Sequence, residues 1–371
     1  MLMQTEGARQ QKHGPVRVTI VSDALPERNG VGAYYCDLMA QLSGDAFDCQ
    51  PIGPAGPVNP ILKTRLPGDG TQRLVVPSPF DFGRCLENHR PDVVVCATPG
   101  PFGLAGTRWA RKLKARLLVG FHTDYASVTD VYHFAPLRLV SRKYCRTVDR
   151  WMFRNAEQVL CNAEPMIELA NNLGAKRTTR IGTLLPPSVL QKPVESLPGQ
   201  VSSVLFAGRL APEKRLDQVI EAARQLPQLN FTVVGEGPLR RLVQQAASEL
   251  ANLNHLGWLN RADLVAQIDA HDVLVLPSKL ESFGSVAFEA MARARLVAVT
   301  ETCGIADWPQ LAAHLTVFSR YKPLHQVLAA MAKQDSISHQ ARAHNARQAA
   351  LQLNDESLAG WQTLLNGEET D

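Results

Sequence analysis

The chain has 371 residues, of which 45% are hydrophobic, so we expect two well-packed domains. It contains 39 Lys and Arg residues and 35 Asp and Glu residues. The seven cysteines are scattered without a CxxC pair, which argues against a disulfide framework or a zinc site and favours a reducing cytoplasm. No apolar run has the length of a membrane-spanning helix, and residues 1–15 lack the apolar region of a signal peptide, so we expect a flexible tail there.

Strands alternate with helices through the first half of the sequence. Apolar strands are predicted at residues 16–23, 92–99, 116–124 and 158–163, and helical patterns lie between them. This alternation predicts a parallel sheet that is covered by helices. We therefore expect a Rossmann-like N-terminal domain at residues 16–185.

The alternation stops at a proline-rich stretch and then starts again. Residues 183–200 show neither helical nor strand periodicity, so we interpret residues 186–200 as an interdomain linker. Strands and helices alternate again over residues 201–350, which predicts a second Rossmann-like domain, and residues 351–371 contain a helix that could pack back on the first domain. The predicted fold class is α/β, with two doubly wound domains that face each other across a cleft.

Positive charge is concentrated in the first half of the chain. Residues 1–190 carry 23 Lys and Arg against 16 Asp and Glu, whereas residues 191–371 carry 16 against 19. The excess lies in residues 108–116 and 138–154, where basic residues alternate with aromatic and aliphatic ones at helical spacing. This pattern fits helices on an anionic membrane surface and equally a solvated helix face. Nucleic acid is not an expected partner, because no nucleic-acid-binding motif accompanies the charge.

Loops after three predicted strands carry groups that suit a phosphate. One strand ends at Gly208, and Arg209 and Lys214 then lie five positions apart ahead of a helix. Two cations and the N–H groups of a helix N-terminus can bind a diphosphate, although ordinary surface charge has the same pattern. The glycines at Gly30 and Gly235 allow a close backbone approach, which plain turns also use. Neither a P-loop nor a GxGxxG fingerprint is present.

Carboxylates and a histidine also lie at predicted strand ends. Glu281 and Glu289 are eight positions apart at the start of a predicted helix, where one acidic residue alone would satisfy the helix dipole. A pair with Gly and Ser between them could instead bind the hydroxyl groups of a ligand. His122 and Asp124 follow another strand. No GxSxG, HExxH or Asp-x-Asp motif occurs, so no nucleophile elbow, catalytic zinc or metal clamp for a sugar nucleotide is indicated.

In their order along the chain, these motifs resemble a known family. The glycine loop, the histidine at a strand end, G-R-x4-K, G-E-G-P and E-x7-E are similar to those of the retaining glycosyltransferases of the GT-B fold, family 4. The resemblance spans roughly Val16 to Thr300, and its most specific part is "PSKLESFGSVAFEAMA" at residues 277–292. Within the family, the chain looks most like lipid-directed members such as phosphatidylinositol mannosyltransferases and sulfoquinovosyl and glucosyl diacylglycerol synthases.

The resemblance implies that the C-terminal domain binds a nucleotide-sugar donor and the N-terminal domain the acceptor. Glu281 would bond the hydroxyls of the transferred sugar, and Glu289 those of the ribose. Phe283 lies between them, and Gly284 and Ser285 would bring backbone N–H groups to the sugar or the diphosphate.

The resemblance also implies which residues bind the leaving diphosphate. Arg209 and Lys214 would neutralise the diphosphate, in donor-binding loops that contain Gly208 and Gly235. Because these cations and helix N–H groups supply positive charge, no metal and no other cofactor is expected. Family members retain the anomeric configuration, and we assign no enzymic nucleophile.

From the first domain, the Gly30 loop would approach the phosphates and His122 would help to position the sugar. The implied reaction transfers a hexose from a UDP-sugar or a GDP-sugar, such as GDP-mannose, to an acceptor. A membrane glycerolipid is the expected acceptor, and a polysaccharide or a soluble small molecule is the alternative. We expect a cytoplasmic protein that, with a lipid acceptor, lies peripherally on the inner face of the plasma membrane.

Some positions beside the expected donor pocket depart from the family pattern. Ala294 and Leu296 stand where the family often has Gly and Pro, Cys303 and Gly304 where it often has two glycines, and Asp307 where it often has Glu. These departures leave open a catalytically inactive protein that binds nucleotide sugars. A sugar-nucleotide epimerase of the same fold is a weaker alternative, because its acid–base residues form a different constellation.

Overall fold

The computed structural model describes residues 14–25, 30–42, 44–66, 69–127, 135–194 and 200–368, except for the side chains of residues 65–72 and 135–138. Most of the predicted tail, residues 1–13, and the loop of residues 26–29 ahead of Gly30 lie outside the described residues. Within the described ranges, no helix combines the length and the apolar character that crossing a membrane requires.

The first domain is built on a parallel sheet. Its strands are β1 (Val16–Val21), β2 (Phe47–Ile52), β3 (Pro60–Leu66), β4 (Asp69–Pro77), β5 (Val93–Cys96), β6 (Arg116–Phe121), β7 (Gln158–Cys161) and β8 (Thr178–Arg180). Its helices are α1 (Gly30–Leu42), α2 (Pro79–His89), α3 (Pro101–Leu113), α4 (Ala135–Asn155) and α5 (Glu164–Asn172). Six strands pair in the order β2-β1-β5-β6-β7-β8, and β3 and β4 form an antiparallel hairpin.

The second domain repeats this architecture. Its strands are β9 (Ser203–Ala207), β10 (Asn230–Val234), β11 (Leu253–Gly257), β12 (Val273–Leu276), β13 (Leu296–Thr300) and β14 (Thr316–Phe318), all parallel in the order β11-β10-β9-β12-β13-β14. The remaining helices are α6 (Pro187–Gln191), α7 (Leu216–Gln225), α8 (Arg240–Glu249), α9 (Arg261–Ala270), α10 (Ser285–Ala292), α11 (Pro309–Ala312), α12 (Leu324–Ala332) and α13 (Ser336–Asn366).

Two doubly wound sheets confirm the predicted fold class. Every residue of β5, β12 and β13 is buried, because helices cover both faces of each sheet. The strand order reverses between β1 and β5 in the first sheet and between β9 and β12 in the second. Ligands of open α/β sheets bind outside the carboxyl ends of the strands at such a reversal. The two reversals therefore mark where a site is expected.

Two elements differ from the sequence-based expectation. The hairpin β3–β4 is absent from the predicted elements because it is half exposed, with Ile61 and Leu62 at 65% and 52% exposure, and so lacks a buried apolar run. Helix α6 lies in the segment that we interpret as a linker without regular structure. It begins at Pro187, and a proline is tolerated in the first turn of a helix because the N–H group that it lacks has no partner there.

Helix α13 is much longer than the predicted terminal helix and contributes to both domains. It begins after Asp335, whose side chain accepts a hydrogen bond from the backbone N–H of Ser338, and it is continuous across residue 350. Its first half adds Ala346 and Ala350 to the core of the second domain. Further along, the indole of Trp361 is fully buried in the first domain and donates to the hydroxyl of Tyr34 at 2.6 Å. Small alanines, which give a weak hydrophobic period, explain why the start was missed.

We predict that Trp361→Ala lowers the free energy of unfolding by about 3–5 kcal/mol, because it leaves a large cavity in the first domain. Trp258→Ala, at a position that is 54% exposed, is the matched control and should cost less than about 1 kcal/mol. Urea unfolding followed by circular dichroism measures both values. Equal losses in the two variants would show that α13 does not complete the first core.

Candidate active site

A cleft of about 180 Å³ opens between the carboxyl ends of the two sheets. The first domain brings Tyr34 of α1 and Thr123, which follows β6, to its wall. The segment between β12 and the start of α10 forms the opposite wall. Six predicted site residues line this one cleft: Gly30, His122, Glu281, Phe283, Gly284 and Ser285.

The turn from Glu281 to Ser285 is fixed by its own backbone. The carbonyl oxygen of Glu281 accepts from the N–H of Gly304 at 3.0 Å. Gly284 has φ of 95°, in the left-handed region, and a Cβ there would lie 2.8 Å from Cys303 Sγ. Glycine is therefore needed at position 284, and its conformation starts helix α10 at Ser285.

Lys214 and Glu281 form an ion pair at the edge of the cleft. Lys214 ends the single helical turn that follows β9, and its Nζ donates to Glu281 Oε2. Both side chains are mostly buried, at 16% and 19% exposure. Burial opposes the charged amine, but the charge and the hydrogen bond of Glu281 outweigh it and raise the pKa of Lys214 above its ordinary value. Lys214 is therefore a cation at neutral pH.

The other residues predicted for the diphosphate lie at the ends of β9 and β10. Arg209 Nη1 is 3.9 Å from Glu213 Oε1. Gly235 has φ of 137°, and a Cβ there would collide with the carbonyl oxygen of Gly208. Packing of two strand ends thus explains the glycine at 235. Five predicted site residues are not among the described residues that line the cleft: Gly208, Arg209, Lys214, Gly235 and Glu289.

His122 is a buried, uncharged ring on the opposite wall. Burial lowers its pKa to about 4, and its Nε2 lies 2.8 Å from the hydroxyl oxygen of Tyr35. Gly120 makes room for this pair, because a Cβ there would collide with that hydroxyl. A neutral imidazole with so low a pKa is a weak base, so this ring is better suited to hydrogen bonding than to proton abstraction.

Glu289 lies one helical turn after Ser285 and is buried beside two residues that were not predicted. Burial raises the pKa of Glu289 to about 7, with the charge of Arg261 opposing and that of Asp37 adding to the shift. Arg261 Nη2 is 3.7 Å from Glu289 Oε1, and the two Nη atoms donate to the Asp37 carboxylate at 2.6 Å each. Glu289 Oε2 has no hydrogen-bond partner.

Asn162 in the lining of the cleft, and Asp37 and Arg261 beside Glu289, were not predicted from the sequence. A charged residue inside the apolar stretch "YYCDLMAQL" of α1 was an available signal for Asp37. Arg261 opens α9 without any motif. Asn162 lines the cleft, and its buried Oδ1 has no hydrogen-bond partner. Such an atom is a candidate for ligand binding.

Three further contacts join the domains beside the cleft. Trp308 Nε1 donates to the carbonyl oxygen of Asn162 at 2.9 Å. The Arg180 guanidinium lies 4.0 Å from the centre of the Trp308 ring and donates to the carbonyl oxygen of Asp307 at 2.7 Å. Phe283 packs edge-on against Trp308, so its side chain anchors the turn in the second domain.

The departures from the family pattern lie close to this turn. Ala294 has φ of 53°, a conformation that favours glycine. Leu296 and Cys303 are buried, and a backbone bridge pairs Cys303 with Glu281. At Gly304 a Cβ would collide with a carbonyl oxygen, so only glycine fits there. Cys303 and Gly304 are therefore part of the buried support of the turn.

The assembled groups suit a polyhydroxylated anion. The Glu281 carboxylate, a neutral His122 and the N-terminus of α10 line one cleft. The cationic Lys214 is ion-paired with Glu281 behind this lining. Fixed positive charge and N–H groups stabilise negative charge that develops on a leaving phosphate. Across the part of the chain that the structure describes, no three His, Cys, Asp or Glu side chains are grouped as metal ligands.

Two family models match the chain, Glycosyltransferase Family 4 over residues 28–183 and Glycosyl transferases group 1 over residues 190–310. A GDP-mannose-dependent alpha-mannosyltransferase from Corynebacterium glutamicum is 24% identical over 310 residues, which cover 75% of this chain and 70% of that protein.

Solved structures share the fold. WaaG, a glycosyltransferase involved in lipopolysaccharide biosynthesis, aligns with a TM-score of 0.69 and 18% identity over 95% of this chain and 100% of its own. HepE from Anabaena, in complex with UDP and glucose, aligns with a TM-score of 0.65 and 16% identity over 95% and 100%. The matched families and the shared two-domain architecture show that the chain belongs to family 4 of the glycosyltransferases, enzymes with the GT-B fold.

Proposed function

We propose that this enzyme transfers a hexose from a nucleotide diphosphate sugar to an acceptor, with retention of anomeric configuration and without a metal ion. The observation that carries the proposal is the Lys214–Glu281 ion pair, which lies at the cleft that His122 lines from the other domain. It combines a cation for a phosphate with hydrogen-bonding groups for a sugar.

The donor would lie along the carboxyl ends of β9 and β12. Lys214, supported by Arg209 from the same loop after β9, would bind the diphosphate as a charge-assisted pair. Glu281 would accept hydrogen bonds from the hexose hydroxyls, and Glu289 from the ribose hydroxyls. The backbone N–H of Ser285, at the start of α10, would add a donor for the phosphate.

Retention follows if the acceptor attacks the face from which the diphosphate leaves. The bond from the anomeric carbon to the phosphate oxygen breaks, the acceptor oxygen bonds to that carbon, and a leaving phosphate oxygen takes the acceptor proton. Lys214 stabilises the charge that develops on the phosphate. Burial lowers the pKa of His122 to about 4 and makes it a weak base, which supports a positioning role for it.

Both uridine and guanosine donors are candidates. The relative from Corynebacterium glutamicum is named for GDP-mannose, and the structure of HepE contains UDP and glucose. Neither likeness is close enough to select the base, so a donor panel has to include both.

A membrane lipid is the acceptor that we propose first. Val140, Tyr144 and Trp151 are spaced four and seven positions apart on α4, so they share an exposed apolar row. Exposed Lys143 and Arg150 lie in the adjacent row. Basic helix α3 packs against α4. Apolar and aromatic groups beside basic ones suit a cytoplasmic, peripheral contact with anionic lipid.

We predict that Lys214→Gln and Glu281→Gln each lower the turnover number by about a hundredfold or more, because each removes an interaction with the reacting groups. Nucleotide release from a panel of UDP- and GDP-sugars, in EDTA and with lipid vesicles, measures turnover. Lys192→Gln is the matched control, since it removes an ion pair with Asp269 away from the cleft and should leave turnover unchanged. Full activity of Glu281→Gln would contradict the proposed sugar site.

The same assay tests the other parts of the proposal. Activity that EDTA abolishes and Mg²⁺ restores would overturn metal independence. The anomeric configuration of the product, read by NMR, tests retention. Nucleotide binding without release from any donor would favour a catalytically inactive binding protein. Release that vesicles do not stimulate, but a saccharide does, would favour the soluble acceptor.

We predict that Val140→Glu weakens binding to vesicles that contain anionic phospholipid, because it introduces a negative charge into the apolar row of α4. Ile337→Glu, at a position that is 78% exposed in the second domain, is the matched control and should bind like the unchanged protein. Cosedimentation with vesicles at low salt measures binding. Equal binding by both variants would exclude α4 as the membrane contact.

A further inference from the structure

One guanidinium serves two buried carboxyl groups that belong to different domains. Arg261 opens α9 in the second domain, and both of its Nη atoms donate to Asp37 of α1 in the first domain at 2.6 Å. Its Nη2 also lies 3.7 Å from Glu289 Oε1. The side chains of Asp37 and Glu289 are only 7% and 9% exposed.

The Arg261 guanidinium interacts more strongly with one of the two carboxyl groups than with the other. Asp37 has a two-bond fork with the guanidinium, which is the strongest geometry for such a pair. Glu289 has only the longer contact, and its Oε2 has no hydrogen-bond partner. A buried carboxyl oxygen without a partner is costly, and a ligand hydroxyl could satisfy it.

Two members of this triad, Asp37 and Glu289, lie on helices whose first residues line the cleft. Asp37 is seven residues after Gly30, two turns along one face of α1, and Glu289 is one turn after Ser285 on α10. Gly30 and Ser285 line opposite walls of the cleft. The domains therefore meet through Asp37 and Arg261 next to the place where a donor would bind.

We propose that Asp37 and Arg261 are positioning residues that couple domain closure to donor binding. While the domains are together, Asp37 holds Arg261 and leaves Glu289 available to the ribose hydroxyls of the nucleotide. When the domains separate, Arg261 loses Asp37 and turns to Glu289, where it competes with the ribose. This inference rests on the proposed role of Glu289 in binding the donor.

Thermodynamic linkage makes the coupling reciprocal. A ligand that binds Glu289 only when Arg261 is held by Asp37 has a higher affinity for the closed state than for the open state. Its binding therefore favours closure by that difference in affinity. Removing Asp37 should therefore weaken nucleotide binding, although Asp37 belongs to the other domain and is not among the residues that line the cleft. A fivefold effect is at the low end of the range for such couplings, which is about 5- to 150-fold.

The pH dependence of nucleotide binding, set by the protonation of Glu289, distinguishes this coupling from a simple loss of structure. Arg261 from α9 and Asp37 from α1 are the charged groups that act on Glu289. Helix α13 also packs on α10 and brings Arg347, which donates to the carbonyl oxygen of Ala292 at the far end of α10. The other elements that pack on α10 are α6, β12 and β13, and they carry no charged side chain. Ribose hydroxyls donate to the ionised carboxylate, so affinity is full above the pKa of Glu289 and falls as the pH drops through it.

The experiment measures the dissociation constants of UDP and GDP by calorimetry, over a pH range centred on about 7, the pKa of Glu289. In Asp37→Asn we expect affinity at the upper end of the range to fall at least about fivefold. The pH midpoint of nucleotide binding by this variant should move to lower pH, because a negative charge near Glu289 is lost and Arg261 approaches Glu289. In Arg261→Gln the midpoint should move to higher pH, because the opposing positive charge is gone.

Asp45→Asn, an exposed position in the first domain, is the matched control and should leave both affinity and midpoint unchanged. An Asp37→Asn protein with the affinity and midpoint of the unchanged protein would overturn the inference and leave the proposed function standing. Failure of the unchanged protein to bind either nucleotide would instead overturn the proposed function and the inference with it. If Asp37→Asn folds poorly, the opposite shift in Arg261→Gln decides, and no shift there would also overturn the inference.

Discussion

Parallel strands end at a common edge, and this constraint organises the molecule. Each crossover helix returns the chain to the same side, so the groups that follow β1, β6, β9 and β12 collect at or next to the reversals of strand order. The two edges face each other, and Lys214, Glu281 and His122 meet at them from separate segments. The cost of burying these polar groups is offset locally, through the ion pair of Lys214 and the hydrogen bond between His122 and Tyr35.

The parts of this arrangement that depend on local signals could be predicted from the sequence. Apolar runs and glycine turns indicated both sheets, and Glu281 and Lys214 follow strands closely enough for a motif to identify them. Asp37 and Arg261 are 224 residues apart, and their contact depends on how two domains dock, which no short pattern encodes. The half-exposed hairpin β3–β4 and the alanine-rich start of α13 were missed because neither carries a strong hydrophobic period. The roles of the donor-binding residues remain predictions.

The two domains are held together by contacts of different kinds. Beside the cleft, the contacts include hydrogen bonds and an ion pair, made by Arg261 to Asp37, by Trp308 to Asn162 and by Arg180 to Asp307. Away from it, α13 carries apolar side chains into both cores. Polar contacts between two domains rearrange more readily than a buried apolar helix can be withdrawn. This difference favours opening at the cleft about a joint at α13.

Helix α13 also has a consequence for synthesis. Trp361 and Tyr34, partners in one core, are separated by 327 residues of sequence. A ribosome must therefore produce nearly all of both domains before the first can close its core, although domains translated first usually fold first. Until then, the apolar face of the first sheet that Trp361 and Leu364 cover is open to solvent. The nascent first domain depends on the second to deliver its last helix, so contacts of very high sequence separation should slow its folding and make it a client for chaperones.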